Sequence, residues 1–382
     1  MVRKECGFKR GGAERYCANL CRELLELGHE VTLLARECEP DIHPGLRVVR
    51  VPVGNLTSSI RNRSFHHNSQ NLLGHLDVDL VYALSRTYPA DAFRVSDPLH
   101  ANWLDIRYPG RFENWLEHLN PRHRTILSLE KAICSPSNTG VIITNSCLTK
   151  KQLLGLYDFP ADRIHVVYNG VDLVRFCPAA SPKPRNRPVR LLFVAQDFGR
   201  KGLDYILESL ALLRPAGIVF RLDVVGRDDP KPYQRQASKL GLLDTVRFLG
   251  PTGRVEDQYR DADLLVFPTL SDPFANVCLE ALACGLPVLT TNTNGAAEIL
   301  QEAETGFVVD AGNGLASRIA TVLHRFSRMP LNYRSAMFHA CRTTAEKYTI
   351  RRNAERTVQI LCGHQKGPGD RLGWMGDDHF GV

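Results

Sequence analysis

Six short apolar runs punctuate the chain between residues 190 and 310: RLLFVAQ (190–196), FRLDVVG (220–226), TVRFLG (245–250), DLLVFPT (263–269), LPVLTT (286–291) and TGFVVD (305–310). Helical periodicity fits the stretches at 203–215, 231–241, 254–262, 276–284, 295–301 and 315–327. No other feature restricts the fold so tightly. Near-continuous apolar strands separated by helices belong to a mainly parallel sheet covered on both faces. The expectation is a doubly wound α/β domain.

The first half repeats the rhythm less regularly. In GGAERYCANLCRELLELG (11–28), Tyr16, Leu20, Leu24 and Leu27 fall at helical spacing, and Gly28 supplies the stop. EVTLLAR (30–36), LRVVRVP (46–52), DLVYAL (79–84), AFRVS (92–96), GVIITN (140–145) and RIHVVYN (163–169) read as strands. One defect stands out: only Val2, Arg3 and Lys4 precede the first glycine-rich turn, so the first strand reads as cut short, with the domain's start expected upstream. CPAASPKPRNRPVR (177–190) carries four prolines and four basic residues and reads as a linker. The expected plan is therefore a domain at 1–178, a second at 179–330, helices over 331–362 that return towards the first domain, and a mobile tail at 363–382 with six glycines.

Length and composition agree with this plan. A chain of 382 residues, 43% hydrophobic and 23% charged, suits two soluble domains. It has no apolar run of membrane-spanning length and no apolar stretch after its first charges. Eleven cysteines contain no C-x-x-C pair, which argues against zinc and for buried thiols in a reducing compartment. The net charge of +7 is concentrated: residues 1–178 carry +3, residues 179–202 carry +5 and the remainder −1. That distribution points at a phosphate in a site rather than at a nucleic acid.

The stretch SDPFANVCLEALACGLPVLTT (271–291) carries the most chemistry. Asp272 follows a strand and would sit at the carboxyl edge of the sheet, where open α/β sheets bind ligands. A helix from about Asn276 would point its amide end at the same place, suited to a phosphate or to sugar oxygens. Glu280, one turn in, has two acceptor oxygens for a ribose diol. The same residues also read as a helix cap and a surface ion pair. Gly11 and Gly12, before the first helix, would let a phosphate or acceptor approach the backbone, yet they do not form the G-x-G-x-x-G dinucleotide pattern. Asp97 and His100 follow the strand AFRVS, either as cleft residues or as turn residues before a helix.

Taken with GGAER (11–15), HVVYNGVDLVRFCP (165–178) and FVAQDFGRKGLDYILESLALL (193–213), this stretch resembles the retaining family-4 glycosyltransferases. DFGRKG and the surroundings of Asp97 are most similar to lipopolysaccharide core enzymes that add glucose to heptose. The resemblance implies the GT-B fold: α/β, with two Rossmann-like domains facing a cleft. It implies that Glu280 holds the donor ribose and that the backbone of Phe274, Ala275 and Asn276 flanks sugar and phosphate. Asp272 takes the place of a Glu that contacts the donor sugar, one methylene shorter here. Lys201 matches the lysine that neutralises the leaving diphosphate. Gln196 replaces a frequent arginine, with Arg200 as the substitute cation. Asp97 becomes an active-site aspartate and His100 an acceptor-side candidate.

The implied partners are a nucleotide sugar, UDP-glucose first, and a glycan or lipid-linked acceptor, with no nucleic acid, no cofactor and no metal. The implied location is the cytoplasm, with a peripheral contact at the inner face of the membrane. The D-x-D strings at 77–79 and 261–263 precede buried strands and are not read as metal sites. His66 and His67 read as surface residues. In WLDIRYPGRFENWLEHL (103–119), Phe112, Trp115, Leu116 and Leu119 share one helical face, suited to packing on its own domain or to a lipid surface. The competing readings are a nucleotide-sugar-binding protein without turnover and a sugar-nucleotide epimerase on the same fold.

Overall fold

The computed structural model describes residues 1–9, 11–108, 110–179 and 188–364. The expected tail from 365 onward and the linker at 180–187 lie outside the described residues. The chain divides into two compact units, one of Met1–Asn145, Thr149–Val167 and the segment from Arg351, the other of Ser146–Leu148 and Tyr168–Ile350.

The first unit contains β1 (Glu5–Cys6), β2 (Thr32–Ala35), β3 (Glu37–Cys38), β4 (Arg47–Arg50), β5 (Tyr82–Ala83), β6 (Ala90–Val95), β7 (Thr139–Thr144) and β8 (Ile164–Val166). All pair in parallel, β5-β6-β7-β8 and β2-β4 in one sheet and β1-β3 beside it. Val2 completes the sheet. It bridges Leu34 of β2 and Ala83 of β5, its amide donates to the Tyr82 carbonyl at 3.0 Å, and its carbonyl accepts from the Leu84 amide at 2.9 Å. Val2 is fully buried between β2 and β5, with its one N–H and one C=O both hydrogen-bonded. The helix Gly12–Glu26 covers the sheet with Cys17, Leu20, Cys21 and Leu24. Gly28, at φ +88°, ends it as expected. None of the eleven cysteines, all among the described residues, is in a disulfide; the sulfurs of Cys6, Cys17 and Cys21 meet within 4.8 Å in the core.

The second unit contains β9 (Val189–Val194), β10 (Phe220–Val225), β11 (Val246–Gly250), β12 (Leu264–Phe267), β13 (Val288–Thr291) and β14 (Gly306–Val309), one for each apolar run. Their order is β11-β10-β9-β12-β13-β14, all parallel. The order reverses between β9 and β12, and ligands bind outside the carboxyl ends of strands at such a switch point. Leu191, Phe193, Leu222, Val224, Leu265 and Leu289 are almost fully buried, as helices on both faces require. The expected helix at 295–301 is a 3₁₀ turn, Gly295–Ile299.

The unit boundaries differ from those expected. The break falls between Val167 and Tyr168, not at 178, because the Val171 amide donates to the Tyr348 carbonyl at 3.0 Å and Val171 and Phe176 join the second core. The region 331–362 is not one body. The helix Leu331–Ala345 places Met337, Cys341 and Ala345 in the second core, and the helix Ile350–Gly363 places Ala354, Ile360 and Leu361 in the first.

The helix Arg111–Leu119 leaves its apolar face in solvent: Phe112 is 70% exposed, Trp115 58%, Leu116 45% and Leu119 54%. The helix lies against Pro121–Ile133 and His100–Arg107 of its own unit, but this apolar face is not the one that packs there. Among the described residues no helix is long and apolar enough to cross a membrane.

Candidate functional site

Two loops at the switch point of the second unit bring the predicted donor residues together. After β9 the chain turns through Asp197–Gly202 into the helix Leu203–Leu213. Gly202 sits at φ +86°, and a Cβ there would lie 2.3 Å from the Pro268 carbonyl oxygen, so this loop packs directly on the one after β12. The Asp197 carboxylate accepts from the Arg200 amide at 3.1 Å and its Nε at 3.0 Å, and Arg200 Nη1 reaches the Ser271 carbonyl at 3.1 Å.

Lys201, 8% exposed, donates through Nζ to the Asp272 carboxylate and lies 5.3 Å from the centre of the Phe267 ring. Burial lowers the pKa of this ammonium, and Asp272 is the group that most opposes the shift. The other Asp272 oxygen accepts from the Phe274 amide at 3.1 Å. Asp272 therefore serves as both cap and counter-ion. A buried cation with a matched carboxylate avoids the large cost of an unpaired charge.

The backbone expectation for 274–276 is corrected in part. The Phe274 amide is held by Asp272, and the Ala275 amide donates to Asn294 Oδ1 at 3.1 Å. Both amides are spent on holding the loop in shape. Among the described residues no side chain caps the helix Asn276–Ala283; the Cys278 amide donates to the Ala275 carbonyl at 3.0 Å, and the uncapped N-terminal end is of the kind that suits an anion. The Asn276 side chain accepts from Asn169 at 2.6 Å. Glu280, in the same helix, accepts from the Tyr259 hydroxyl at 2.9 Å; Tyr259 is fully buried, and burial beside that carboxylate holds its phenol protonated.

Tyr259 and Asn294 carry structural duties that no motif announces. Asn294, 1% exposed, satisfies the amides of Ala275 and Ala296 through Oδ1 and donates to Thr290 Oγ1 at 2.9 Å. A run such as TTNTNG reads as a turn, and nothing in it says which asparagine is buried. Gln196, where the resemblance leads one to expect an arginine, is exposed.

The first unit holds a separate cavity of about 250 Å³, lined among others by Arg3, Lys4, Arg86, Asp97 and Glu130. Asp97 lies just beyond β6, exposed at its mouth. Gly11 and Gly12 open the helix Gly12–Glu26, again with no side-chain cap among the described residues, and Glu14 in its first turn pairs with Arg3 at 2.8 Å. His100 is not open to an acceptor. It is 8% exposed, its Nε2 meets His123 Nδ1 at 2.9 Å, its ring stacks on Trp103, and its amide donates to Glu130 at 2.7 Å. Burial, helped by Arg86 and His123, lowers its pKa to about 4, so the ring is neutral at pH 7. His66 is likewise half-buried rather than a surface residue, stacked on Tyr88.

Both units match models of known families. Residues 10–175 match Glycosyltransferase Family 4, and residues 179–335 match Glycosyl transferases group 1. The chain is 28% identical over 376 residues to the lipopolysaccharide glucosyltransferase WaaG of Escherichia coli K12, covering 94% of this chain and 97% of that protein. A crystal structure of WaaG superposes with a TM-score of 0.80 at 25% identity, covering 95% of this chain and 99% of the other. A D-inositol 3-phosphate glycosyltransferase of Acidothermus cellulolyticus is 27% identical over 385 residues, covering 88% of this chain and 83% of its own. With a parallel α/β sheet in each unit, a cation–carboxylate pair at the switch point and both family models satisfied in order, the chain belongs to the family-4, group-1 glycosyltransferases of GT-B fold.

Proposed function

We propose that the protein transfers glucose from UDP-glucose to a heptose or similar sugar hydroxyl of a lipopolysaccharide core or related glycan, with retention of anomeric configuration. The observation that carries this is the Lys201–Asp272 pair at the carboxyl ends of β9 and β12, flanked by Arg200 and by the open end of the helix bearing Glu280. The name of the Escherichia coli relative supports the donor sugar and the acceptor class.

In the reaction the bond from the anomeric carbon to the diphosphate breaks and a bond to the acceptor oxygen forms on the same face. The acceptor proton passes to the departing phosphate oxygen. Lys201 and Arg200 hold fixed positive charge where negative charge develops, so little reorganisation is needed as the bond opens. We assign that neutralisation to these side chains and the helix amides, without metal or cofactor. Asp272 orients Lys201 and faces the sugar, Glu280 accepts from the ribose hydroxyls, and Asp97 positions the acceptor hydroxyl or stabilises positive charge at the anomeric carbon. The exposed face of Arg111–Leu119 supports a peripheral contact with a lipid surface that carries the acceptor, at the inner side of the cytoplasmic membrane.

The test is a panel of UDP-, GDP- and ADP-sugars with isolated lipopolysaccharide core, read by mass spectrometry of the products. UDP-glucose should be consumed and one hexose added, with Lys201→Ala and Glu280→Ala both inactive. Failure of every donor to bind or react would end this reading.

A further inference from the structure

Four of the eleven cysteines lie in the first 38 residues, and the fold brings them to one place. Cys6 and Cys38 are register partners across the parallel pair β1–β3. Cys17 and Cys21, four residues apart, share one face of the helix Gly12–Glu26, which packs on β1. The sulfurs of Cys6, Cys17 and Cys21 lie within 4.8 Å of one another, and all three residues are fully buried. Met1 adds a further sulfur, its Sδ 3.9 Å from Cys21 Sγ.

A single buried cysteine is an ordinary small apolar residue. Three that converge from a strand and a helix offer a set of ligands. Metal–thiolate bonds run about 2.3 Å, so an ion in the plane of three sulfurs holds them roughly 4 Å apart. The observed sulfurs reach that spacing by closing no more than about 1 Å. Arg3, itself buried, acts on the Cys17 sulfur and favours its thiolate. Entry is also provided for: β1 and β3 pair over only two residues each, and so short a ladder opens locally at low cost.

We propose that Cys6, Cys17 and Cys21 form a trigonal thiolate site for a soft monovalent ion, Cu(I). Thiolate ligands favour Cu(I) and also bind zinc. Structural zinc takes four ligands in a tetrahedron, and the fourth thiol is turned elsewhere: Cys38 Sγ donates to the Glu39 carbonyl at 3.4 Å and stands outside the set of three. Each thiol gives up its proton to solvent as its Cu–S bond forms. Copper stays Cu(I), so no electron is exchanged. The bound ion ties the helix Gly12–Glu26 to β1. None of these cysteines takes part in the proposed transfer chemistry, so the site is tested independently of that reading.

The test uses the full-length, fully reduced protein under anaerobic conditions, titrated with Cu(I) held as its bicinchoninate complex. A double variant, Cys147→Ser with Cys362→Ser, removes the two exposed thiols and is titrated beside the wild type. Both proteins should take one ion from the chelator, and X-ray absorption should show three sulfurs at about 2.3 Å. Cys17→Ala and Cys21→Ala should each weaken uptake by more than about a hundredfold. Loss of uptake in the double variant, undiminished uptake in Cys17→Ala, or a shell of two sulfurs overturns the site.

Thermal stability gives a second readout that needs no change in the core. An ion bound only by the native state raises the thermal midpoint by mass action. One equivalent of Cu(I) should raise that of the wild type, and of the Cys147→Ser, Cys362→Ser protein, by about 5 °C or more. A midpoint that stays in place with one ion bound would put the copper outside the core, against the proposal.

Discussion

Lys201 and Asp272 stand 71 residues apart in sequence and form one hydrogen-bonded ion pair, with side chains only 10% and 13% exposed. Asp272 opposes the lowering of the Lys201 pKa by burial. Asp272→Asn keeps the shape and removes the charge, so Lys201 should lose its proton at lower pH. The alkaline limb of a kcat/KM profile should move downward, and Lys201→Ala should lose about a hundredfold in kcat. An alkaline limb that stays in place in Asp272→Asn would show that Lys201 does not set it.

Tyr259 acts through Glu280. Tyr259→Phe deletes one hydrogen bond to a carboxylate and should raise the donor KM about fivefold with kcat little changed, whereas Glu280→Ala should raise it by more. Because the two residues share one bond, the double variant should be no worse than Glu280→Ala alone. Steady-state kinetics with varied UDP-glucose decide it.

Gly202 and Gly217 both have positive φ, +86° and +67°, but only Gly202 has backbone in the way of a Cβ. Gly202→Ala should cost about 1–3 kcal/mol and lower the thermal midpoint by roughly 2–10 °C. Gly217→Ala, with nothing within 4 Å, should cost less. Differential scanning calorimetry of the pair separates the clash from the dihedral preference.

The exposed face of Arg111–Leu119 makes a prediction independent of catalysis. Phe112→Ser with Trp115→Ser should weaken partition onto anionic vesicles by about tenfold or more, since each buried aromatic contributes a large apolar area. Sedimentation with lipid vesicles reads the outcome. Equal binding by wild type and variant would remove this face from the lipid contact.

His100 bears on acid stability. Its pKa is lowered to about 4 in the fold against an ordinary value near 6.5. Between those values the unfolded chain takes up a proton that the native state refuses, so stability falls as pH drops through this window and the loss levels off below it. Urea titrations at pH 7 and pH 5 should show the decline, and His100→Gln should flatten it.

The second unit was legible because buried parallel strands write themselves as apolar runs, and every one of those runs became a strand. Asp272 could be named because it follows a strand at the carboxyl edge of the sheet, and Glu280 because it lies one turn into the next helix, whereas Lys201 came from the family resemblance alone. Tyr259 could not, since an aromatic in Val255–Asp261 reads as core and its bond to Glu280 depends on how two helices lie together. Arg3 and Lys4 looked like the remains of a strand; only the sheet order reveals that Val2 fills the centre and turns the next two residues into a cavity wall. His100 looked open because sequence shows what precedes a helix, not what packs over it. The prolines at 178–188 mark where the chain is polar, whereas the units part where the backbone changes partners, eleven residues before the first of them.

That parting has a consequence for how such proteins can be recombined. The final helix, Ile350–Gly363, buries Ala354, Ile360 and Leu361 among the residues of the opening segment. A chimera joined by one crossover near residue 178 would import a foreign final helix along with its new second half, leaving the first core lined by a stranger's side chains. Exchanging donor specificity between relatives therefore calls for two junctions, near 168 and near 350, with the last helix kept from the parent that supplies the first strand.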